Sequence, residues 1–278
     1  MTARPGLSGR REQLNDIPIL MYHQIADPPE AVDRLAVSPA AFADQLACLQ
    51  AAGFTTLTAS ALAAGLADEA AALPQRPVVL TFDDGFADFH CRALPLLERY
   101  GCTATVFVTT GWIADSGAPD AAFRRPGRML SWSQIAEAAA TGVEIGAHSH
   151  GHPELDLLAA ESLQRELELS KALLEQRLGR PVPGLAYPFG YSNAAVRRAA
   201  RAAGYHYACA VANTAVGPDF DAMALPRLTI RQSTRLRAFD QIVAGRMPLN
   251  YIKDRSLTKG WAVVRRTRAT LGGASRSG

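Results

Sequence analysis

Short apolar runs alternate along the chain with segments in which apolar residues recur at helical spacing. Several runs, including 78–82, are apolar without the polar alternation that marks a strand with one exposed face. Such a run is typical of a strand buried on both faces of a parallel sheet. Strands are predicted at 17–21, 54–57, 78–82, 103–108, 143–147, 184–187, 207–211 and 225–230.

Capping residues predict where the intervening helices begin and end. Ser38 followed by Pro39 indicates a helix start, and Gly53 and Gly179 indicate helix ends. Pro95, inside a helix predicted over 87–100, indicates a late start or a kink. Helices are predicted at 39–52, 60–67, 87–100, 132–141, 159–178, 194–203 and 236–244.

Regular strand–helix alternation predicts a parallel α/β fold, either a barrel or a doubly wound sheet. The chain has no GxGxxG after its first strand and no Walker A motif, so the common nucleotide-binding folds are not supported. Polar residues with catalytic potential follow several different strands: His23, Asp83 and Asp84, 148–152, and Tyr187 with Pro188. Because a barrel gathers its strand ends around one mouth, the barrel is favoured.

The chain of 278 residues is 48% apolar and 20% charged, an ordinary globular composition, and its length fits one large α/β domain or two small ones. The predicted elements place a single domain over residues 17–245. Residues 1–16 are polar and are predicted to form a flexible segment without a signal peptide, so a cytoplasmic location is expected and export stays open. Residues 246–278 form a basic tail that could touch an anionic membrane peripherally, although a solvated end is the simpler interpretation. The body is mildly acidic, and no nucleic-acid partner is expected.

The Asp83–Asp84 pair ends the central apolar strand, where two carboxylates must be solvated, paired or bound to a cation. His148, His150 and His152 follow another strand, and His148 and His152 are four residues apart. Two imidazoles with one carboxylate leave coordination positions open, as catalytic zinc and iron sites require. The second carboxylate could then act as a general base. A surface loop of histidines and an aspartate that caps a helix are the alternatives.

The sequence TFDDG at 81–85 and the pattern HSxxH at 148–152 resemble two motifs of the polysaccharide deacetylase family, also called the NodB-homology domain or carbohydrate esterase family 4. The resemblance covers Ile17 to Arg231. Because a first strand ends in Tyr22–His23, it is closest to the poly-N-acetylglucosamine deacetylases. The implied fold is α/β, a distorted (β/α)7-8 barrel of the NodB-homology type.

The resemblance also implies roles for individual residues. Asp83 would be the general base, and Asp84, His148 and His152 would bind a divalent metal, usually Zn2+ but in some cases Co2+ or Ni2+. Ser149 would orient the loop. The third motif would be 186–190, in which Tyr187, Pro188 and Phe189 border the substrate and the Phe189 N–H stabilises the oxyanion.

The chain departs from the family pattern at two positions. Ala186 stands where an arginine usually supports the catalytic aspartate, and Leu225-Pro226-Arg227 lacks the usual late histidine that acts as general acid. His23 is the best available acid, as in the subgroup that the chain resembles. Arg227 could supply the missing charge beside Asp83, or it could form an ordinary salt bridge at a strand end.

The expected function is hydrolysis of N-acetyl groups from an N-acetylated glycan, an N-acetylglucosamine-containing polysaccharide or oligosaccharide, with Asp83 acting on metal-activated water. An O-acetyl esterase or small-amide hydrolase on the same fold is one alternative. A non-catalytic glycan-binding protein is the other, because the arginine and the late histidine are missing. The intact Asp83, Asp84, His148 and His152 favour an enzyme, since a binder needs no base beside a metal.

Overall fold

The computed structural model describes residues 17–27, 34–68, 72–115, 127–217 and 220–246. The strands in these residues are β1 (Ile19–Tyr22), β2 (Thr55–Leu57), β3 (Pro77–Phe82), β4 (Thr105–Val108), β5 (Glu144–Ala147), β6 (Gly184–Ala186), β7 (Tyr207–Cys209) and β8 (Leu228–Thr229). The α-helices are α1 (Pro39–Ala51), α2 (Ala59–Ala67), α3 (Leu94–Arg99), α4 (Trp132–Ala140), α5 (Ala160–Leu178), α6 (Ala194–Ala202) and α7 (Leu236–Val243).

The strands form one parallel sheet in the order β7-β6-β5-β4-β3-β1-β8, with β2 paired to β3. The sheet curls until its ends meet. Leu225, just before β8, makes a parallel bridge to Cys209 of β7, and its carbonyl accepts the Ala210 N–H at 2.8 Å. Leu228 and Thr229 then pair with β1. The predicted α/β class with a distorted barrel is therefore confirmed.

Along each strand, successive side chains point alternately to the inside of the barrel and to the surrounding helices. The inner cluster contains Ile19 of β1, Val79 of β3 and Phe107 of β4, together with Tyr207 and Leu225. The outer cluster, against the helices, includes the neighbouring residues of the same strands, such as Leu20, Leu80 and Val106. Residue 83 lies four positions after Val79, and residue 23 lies four positions after Ile19. Because the side chains alternate with a period of two, both residues should point inward as Val79 and Ile19 do.

A serine caps the start of two helices, and the first of these caps, Ser38, is predicted from the sequence. The Ser38 hydroxyl accepts the Ala41 N–H at 3.2 Å at the start of α1. At α4, Ser131 and Gln134 form a reciprocal capping box. Removal of such a cap costs about 1 kcal/mol, so these residues stabilise helices that cover the barrel.

The segment predicted as one helix over 87–100 is divided into two parts. A π-helical turn spans Phe89–Ala93, and α3 follows from Leu94. The Leu94 N–H donates to the Phe89 carbonyl five residues earlier, and Pro95 has no N–H to continue an α-helical ladder. The last predicted strand is also shorter than expected, because only Leu228–Thr229 pair as β8.

The predicted N-terminal segment, residues 1–16, lies outside the described residues, as does the basic tail beyond residue 246. Among the helices that the structure describes, none combines the length and the apolar character needed to cross a membrane.

Candidate active site

Polar side chains from several strands converge at one end of the barrel. His23 follows β1, Asp83 and Asp84 follow β3, and residues 148–152 follow β5. Arg227 precedes β8, and its side chain, fully buried, reaches Asp83 from that side. Since all of these strands are parallel, their carboxyl ends share one edge, where catalytic groups of α/β barrels are found.

Asp84, His148 and His152 form a buried group with the composition of a metal site. One ligand atom from each residue can be chosen so that all three lie within 4.8 Å of one another. Asp84 Oδ1 lies 3.5 Å from His148 Nε2 and 3.3 Å from His152 Nε2. A carboxylate oxygen and two imidazole nitrogens are ligands that Zn2+ and similar divalent cations accept, so this group fits a metal.

The protonation of His148 adds a second reason why a cation fits this group. His148 Nδ1 lies 2.8 Å from the Ala186 carbonyl, which can only accept, so Nδ1 carries a proton. In the neutral ring Nε2 then presents a lone pair to Asp84, and a cation between the two atoms makes their proximity favourable. Burial alone would raise the pKa of Asp84. Without a metal, the contacts with His148 and His152 hold it well below the usual range, because a protonated imidazole donates to the carboxylate.

Asp83 has a different partner from its neighbour. The Arg227 guanidinium donates to both carboxylate oxygens, from Nη1 at 2.6 Å and from Nη2 at 2.7 Å. Arg227 also donates to the Thr81 hydroxyl and the Ala210 carbonyl, each at 3.3 Å. Burial would raise the pKa of Asp83, but the Arg227 charge and, after it, His148 outweigh that effect and lower the pKa. Asp83 is therefore ionised although it is only 3% exposed.

His23 belongs to the same electrostatic group. Burial lowers the pKa of its imidazole, and the charges of Asp83 and Asp84 act in the opposite direction. The ring is partly exposed, while its Nδ1 is buried and has no hydrogen-bond partner among the described residues. His23 thus lies within electrostatic reach of both carboxylates.

The backbone of the site is unusual. Asp84, Ser149, His152 and Phe189 have φ of 75°, 62°, 60° and 58°, in the left-handed region that non-glycine residues rarely adopt. Asn213, the remaining non-glycine residue of this kind in the described chain, donates its N–H to the Arg227 carbonyl. Such residues cost about 1–3 kcal/mol each and cluster at functional sites, which supports a site here.

Of the third motif, residues 186–190, only the Phe189 side chain is seen to contact the metal-ligand group. The Tyr187 side chain is buried and its hydroxyl donates to the Met223 carbonyl at 2.9 Å, so it packs within the protein. Pro188 is also buried. The Phe189 ring is 50% exposed and packs against His152 with ring centroids 4.7 Å apart. The structure therefore places Phe189 at the rim of the site, while the Tyr187 hydroxyl is engaged elsewhere.

Two contacts near the metal group could not be predicted from the sequence. Glu166 lies within α5, and its Oε2 accepts the N–H groups of His150 and Gly151 at 2.9 and 2.7 Å. Trp112 packs against the His152 ring, with centroids 4.7 Å and planes 33° apart. A glutamate in a long amphipathic helix is ordinary, so only the tertiary structure shows what Glu166 contacts.

Comparisons with known proteins agree with this geometry. The family model described as polysaccharide deacetylase matches residues 70–208. YxkH of Bacillus subtilis, whose name suggests a polysaccharide deacetylase, is 28% identical over 230 residues, which are 83% of this chain and 77% of that protein. The poly-β-1,6-N-acetyl-D-glucosamine N-deacetylase of Staphylococcus epidermidis is 26% identical over 166 residues.

The alignment with the Staphylococcus epidermidis enzyme covers 56% of this chain, and the chain spans only 55% of the length of that enzyme. Among solved structures, the Streptococcus pyogenes deacetylase PplD in complex with acetate superposes with a TM-score of 0.72 at 26% identity. The superposition covers 84% of this chain and 99% of that one. The family match includes Asp83, Asp84, His148 and His152. The chain therefore belongs to the polysaccharide deacetylase family.

Proposed function

We propose that this protein is a metal-dependent hydrolase that removes N-acetyl groups from a glycan containing N-acetylglucosamine. One observation carries the proposal: a buried, ionised Asp83, held by Arg227, lies next to the metal-ligand group of Asp84, His148 and His152. A base beside a metal site is an arrangement that can hydrolyse an amide with water as the nucleophile. The name of the staphylococcal relative, an N-deacetylase of poly-N-acetylglucosamine, supports the choice of substrate.

Asp84, His148 and His152 are the residues proposed to hold the metal, with Zn2+ as the first candidate and Co2+ or Ni2+ as substitutes. With these residues holding it, a divalent cation would supply a lowered water pKa, towards about 7, and polarisation of the acetamide carbonyl. The three residues leave coordination positions free for water and substrate, which distinguishes a catalytic from a closed structural site.

Asp83 is proposed to take the proton from the attacking water. Its carboxylate must be ionised at neutral pH, and the bidentate contact with Arg227 supports that state. In this protein Arg227 thus takes the place of the arginine absent at position 186. The pairing also fixes the carboxylate plane, because a guanidinium fork matches two oxygens at once.

His23 is proposed to give a proton to the amine nitrogen as acetate leaves. Amines are poor leaving groups unless they are protonated, so the amide reaction needs an acid. The imidazole of His23 is within electrostatic reach of Asp83. Residue 23 directly follows β1, and the alternation of side chains along that strand places it on the inner side at the same mouth. The Phe189 N–H is proposed to donate to the oxygen of the acetamide as negative charge develops there.

Exposed aromatic rings support a sugar as the substrate. Phe189 is half exposed and stacks on Tyr191, with centroids 6.0 Å apart and planes 26° apart. The Phe189 ring also packs against His152 of the metal group, with centroids 4.7 Å apart. Apolar faces of pyranose rings can pack on such aromatic surfaces, so a glycan could lie across this rim with its acetamide near the metal.

The test is acetate release from purified N-acetylated glycans and their oligosaccharides, including β-1,6-linked oligomers of N-acetylglucosamine. We expect release by the metal-loaded protein, loss after EDTA treatment and recovery when Zn2+ or Co2+ is returned. The same preparation is tested on 4-nitrophenyl acetate, an ester whose leaving group needs no proton. Hydrolysis of the ester with no release from any N-acetylated glycan would point instead to an esterase and contradict the proposal.

A further inference from the structure

Asp88 connects the loop after β3 to the loop that carries His23. It lies five residues after Asp83 in the sequence, and it is partly buried. Its Oδ1 accepts the Ile25 N–H at 2.7 Å, and its Oδ2 accepts from Gln24 Nε2 at 3.3 Å. Hydrogen bonds to an ionised carboxylate are about twice as strong as neutral ones. The residues directly after His23 are therefore fixed by a side chain from the Asp83 loop.

Backbone contacts hold the same segment on its other sides. The Tyr22 carbonyl accepts the Asp83 N–H at 3.0 Å, just before His23. After it, the Val37 N–H donates to the Gln24 carbonyl and the Ala26 N–H donates to the Val37 carbonyl, both at 2.9 Å. The Ile25 N–H lies between these contacts, and Ile25 is fully buried. Without Asp88 this buried donor would lose its acceptor, at a cost that favours movement of the loop.

The His23 ring depends on this loop for its orientation. Catalytic histidines are usually oriented by a hydrogen bond to one ring nitrogen. In the described residues His23 Nδ1 has no such partner. The position of the imidazole relative to Asp83 is then set by the backbone of residues 22–26. Asp88 is the acidic side chain that ties this backbone to the loop of the proposed base.

We infer that Asp88 is a positioning residue for the deacetylation reaction: it holds the proposed acid, His23, at a fixed place relative to the proposed base, Asp83. The inference rests on the proposed function. One loop then has three tasks, since Asp83 takes a proton, Asp84 binds metal and Asp88 holds the acid. A displacement of about 1 Å in a catalytic group can reduce turnover by about 10²-fold, so loss of this contact is measurable.

The experiment compares two substrates that differ in their need for an acid. For Asp88→Ala we expect kcat for an N-acetylated oligosaccharide to fall by about 30- to 100-fold with little change in KM. With 4-nitrophenyl acetate the change should stay within about 3-fold, because 4-nitrophenolate leaves without a proton. Asp88→Asn keeps an acceptor for the Ile25 N–H and should restore most of the glycan activity.

A double-substitution cycle tests whether Asp88 acts through His23. If it does, the combined variant His23→Ala with Asp88→Ala should be no slower on the glycan than His23→Ala alone. Additive losses would overturn the inference, as would equal losses on the two substrates or no loss on either. Glu175→Ala is the matched control, since its carboxylate also accepts a buried backbone N–H, that of Val182 at 2.9 Å, but it lies near the end of α5. Glu175→Ala should leave the ratio of the two activities unchanged.

Two further outcomes need an interpretation: an Asp88→Ala variant that does not fold, and a wild-type protein without glycan activity. If Asp88→Ala does not fold, Asp88→Glu replaces it, because it keeps the carboxylate but lengthens the side chain and should show the same selective loss on the glycan. Retention of full glycan activity by Asp88→Glu would then overturn the inference. A wild-type protein that releases no acetate from glycans refutes the proposed function and this inference together. If the wild type is active on the glycan but Asp88 variants lose glycan and ester activity equally, the inference is refuted and the proposed function stands.

Discussion

Asp83 and Asp84 are adjacent in the sequence and equally buried, yet their surroundings differ in kind. Asp83 faces a permanent cation, the Arg227 guanidinium, which contacts both of its oxygens. Asp84 faces two imidazoles, which bear a charge only when they are protonated. Successive residues at a strand end point in different directions, so two neighbours can enter two environments.

Because the two aspartates have different partners, one strand end can supply two chemical functions. Burial alone would raise the pKa of both carboxyl groups, and in both cases the partners outweigh it. For Asp83 the compensation is built into the protein and does not need a ligand. For Asp84 the two imidazoles compensate for burial only when they donate a proton to the carboxylate, and a bound cation would supply the charge when both rings are neutral. These surroundings support the proposed division, in which Asp83 is the base and Asp84 is a metal ligand, and substitutions can test it.

The largest expected effect separates the two aspartates directly. Asp83→Asn and Asp84→Asn should each reduce acetate release by about 10³-fold, since one removes the base and the other a metal ligand. Only Asp84→Asn should lose the stabilisation by zinc, which at 100 times Kd is about 2.7 kcal/mol. Thermal melts of EDTA-treated protein with and without added Zn2+ measure this. A loss of zinc stabilisation in Asp83→Asn would show that the roles are not divided in this way.

Removal of the fixed cation should have the next largest effect. Arg227→Met leaves Asp83 buried without its partner, and breaking such a pair costs about 3–5 kcal/mol. Methionine keeps the apolar part of the side chain, so the loss reports mainly the charge. Chemical denaturation at neutral pH measures the free energy of unfolding. A change below about 1 kcal/mol, the range of an exposed ion pair, would contradict the buried pairing.

The pH dependence of this variant has a definite sign. In the wild type the pKa of Asp83 is lower in the folded than in the unfolded state, so its stabilising contribution is complete above the ordinary aspartate pKa. That contribution is lost as the pH falls through the folded value. In Arg227→Met burial is no longer offset by Arg227, and the pKa of Asp83 should rise. The acid limb of kcat/KM should then move to higher pH, and the stability deficit should shrink on acidification.

Part of this comparison could be predicted from the sequence, and part could not. The apolar run 78–82 followed by two aspartates predicted a buried strand with its charges at the mouth, because periodicity and burial are local properties. His148 and His152 are predicted as a pair from their spacing of four residues, which is also a local property. The contact between Arg227 and Asp83 depends on how the sheet closes, with β8 beside β1, and 144 residues separate the two side chains. Sequence reasoning therefore leaves two roles open for Arg227, the missing charge beside Asp83 or an ordinary salt bridge at a strand end.

The left-handed backbone at Asp84, Ser149 and His152 was also beyond prediction. Glycine is the residue that signals positive φ, and none of these three is glycine. The Tyr187 hydroxyl shows the same limit, since its contact with Met223 arises from packing between β6 and the turn before β8. Local patterns indicated which residue types are present at the mouth, while tertiary contacts determine which of them face it.

The smallest expected effect concerns the backbone that holds the metal group. Glu166 Oε2 accepts the N–H groups of His150 and Gly151, between the two histidine ligands proposed here. Glu166→Ala should weaken Zn2+ binding by about 10- to 100-fold, as loss of an outer partner of a metal site typically does. At saturating zinc, acetate release should approach the wild-type rate. Competition with a chromophoric chelator measures the affinity without using activity.

Glu168→Ala provides the control for Glu166, because it lies on the same helix and is exposed, with its carboxylate accepting from Gln164 at 2.8 Å. It should leave zinc affinity unchanged, since this contact lies on the helix surface and does not touch the histidine loop. If Glu166→Ala and Glu168→Ala bind zinc equally well, the loop keeps its shape without Glu166. The strained backbone at Ser149 and His152 would then be held by other contacts, among which the Ser149 hydroxyl accepts the His152 N–H at 2.9 Å.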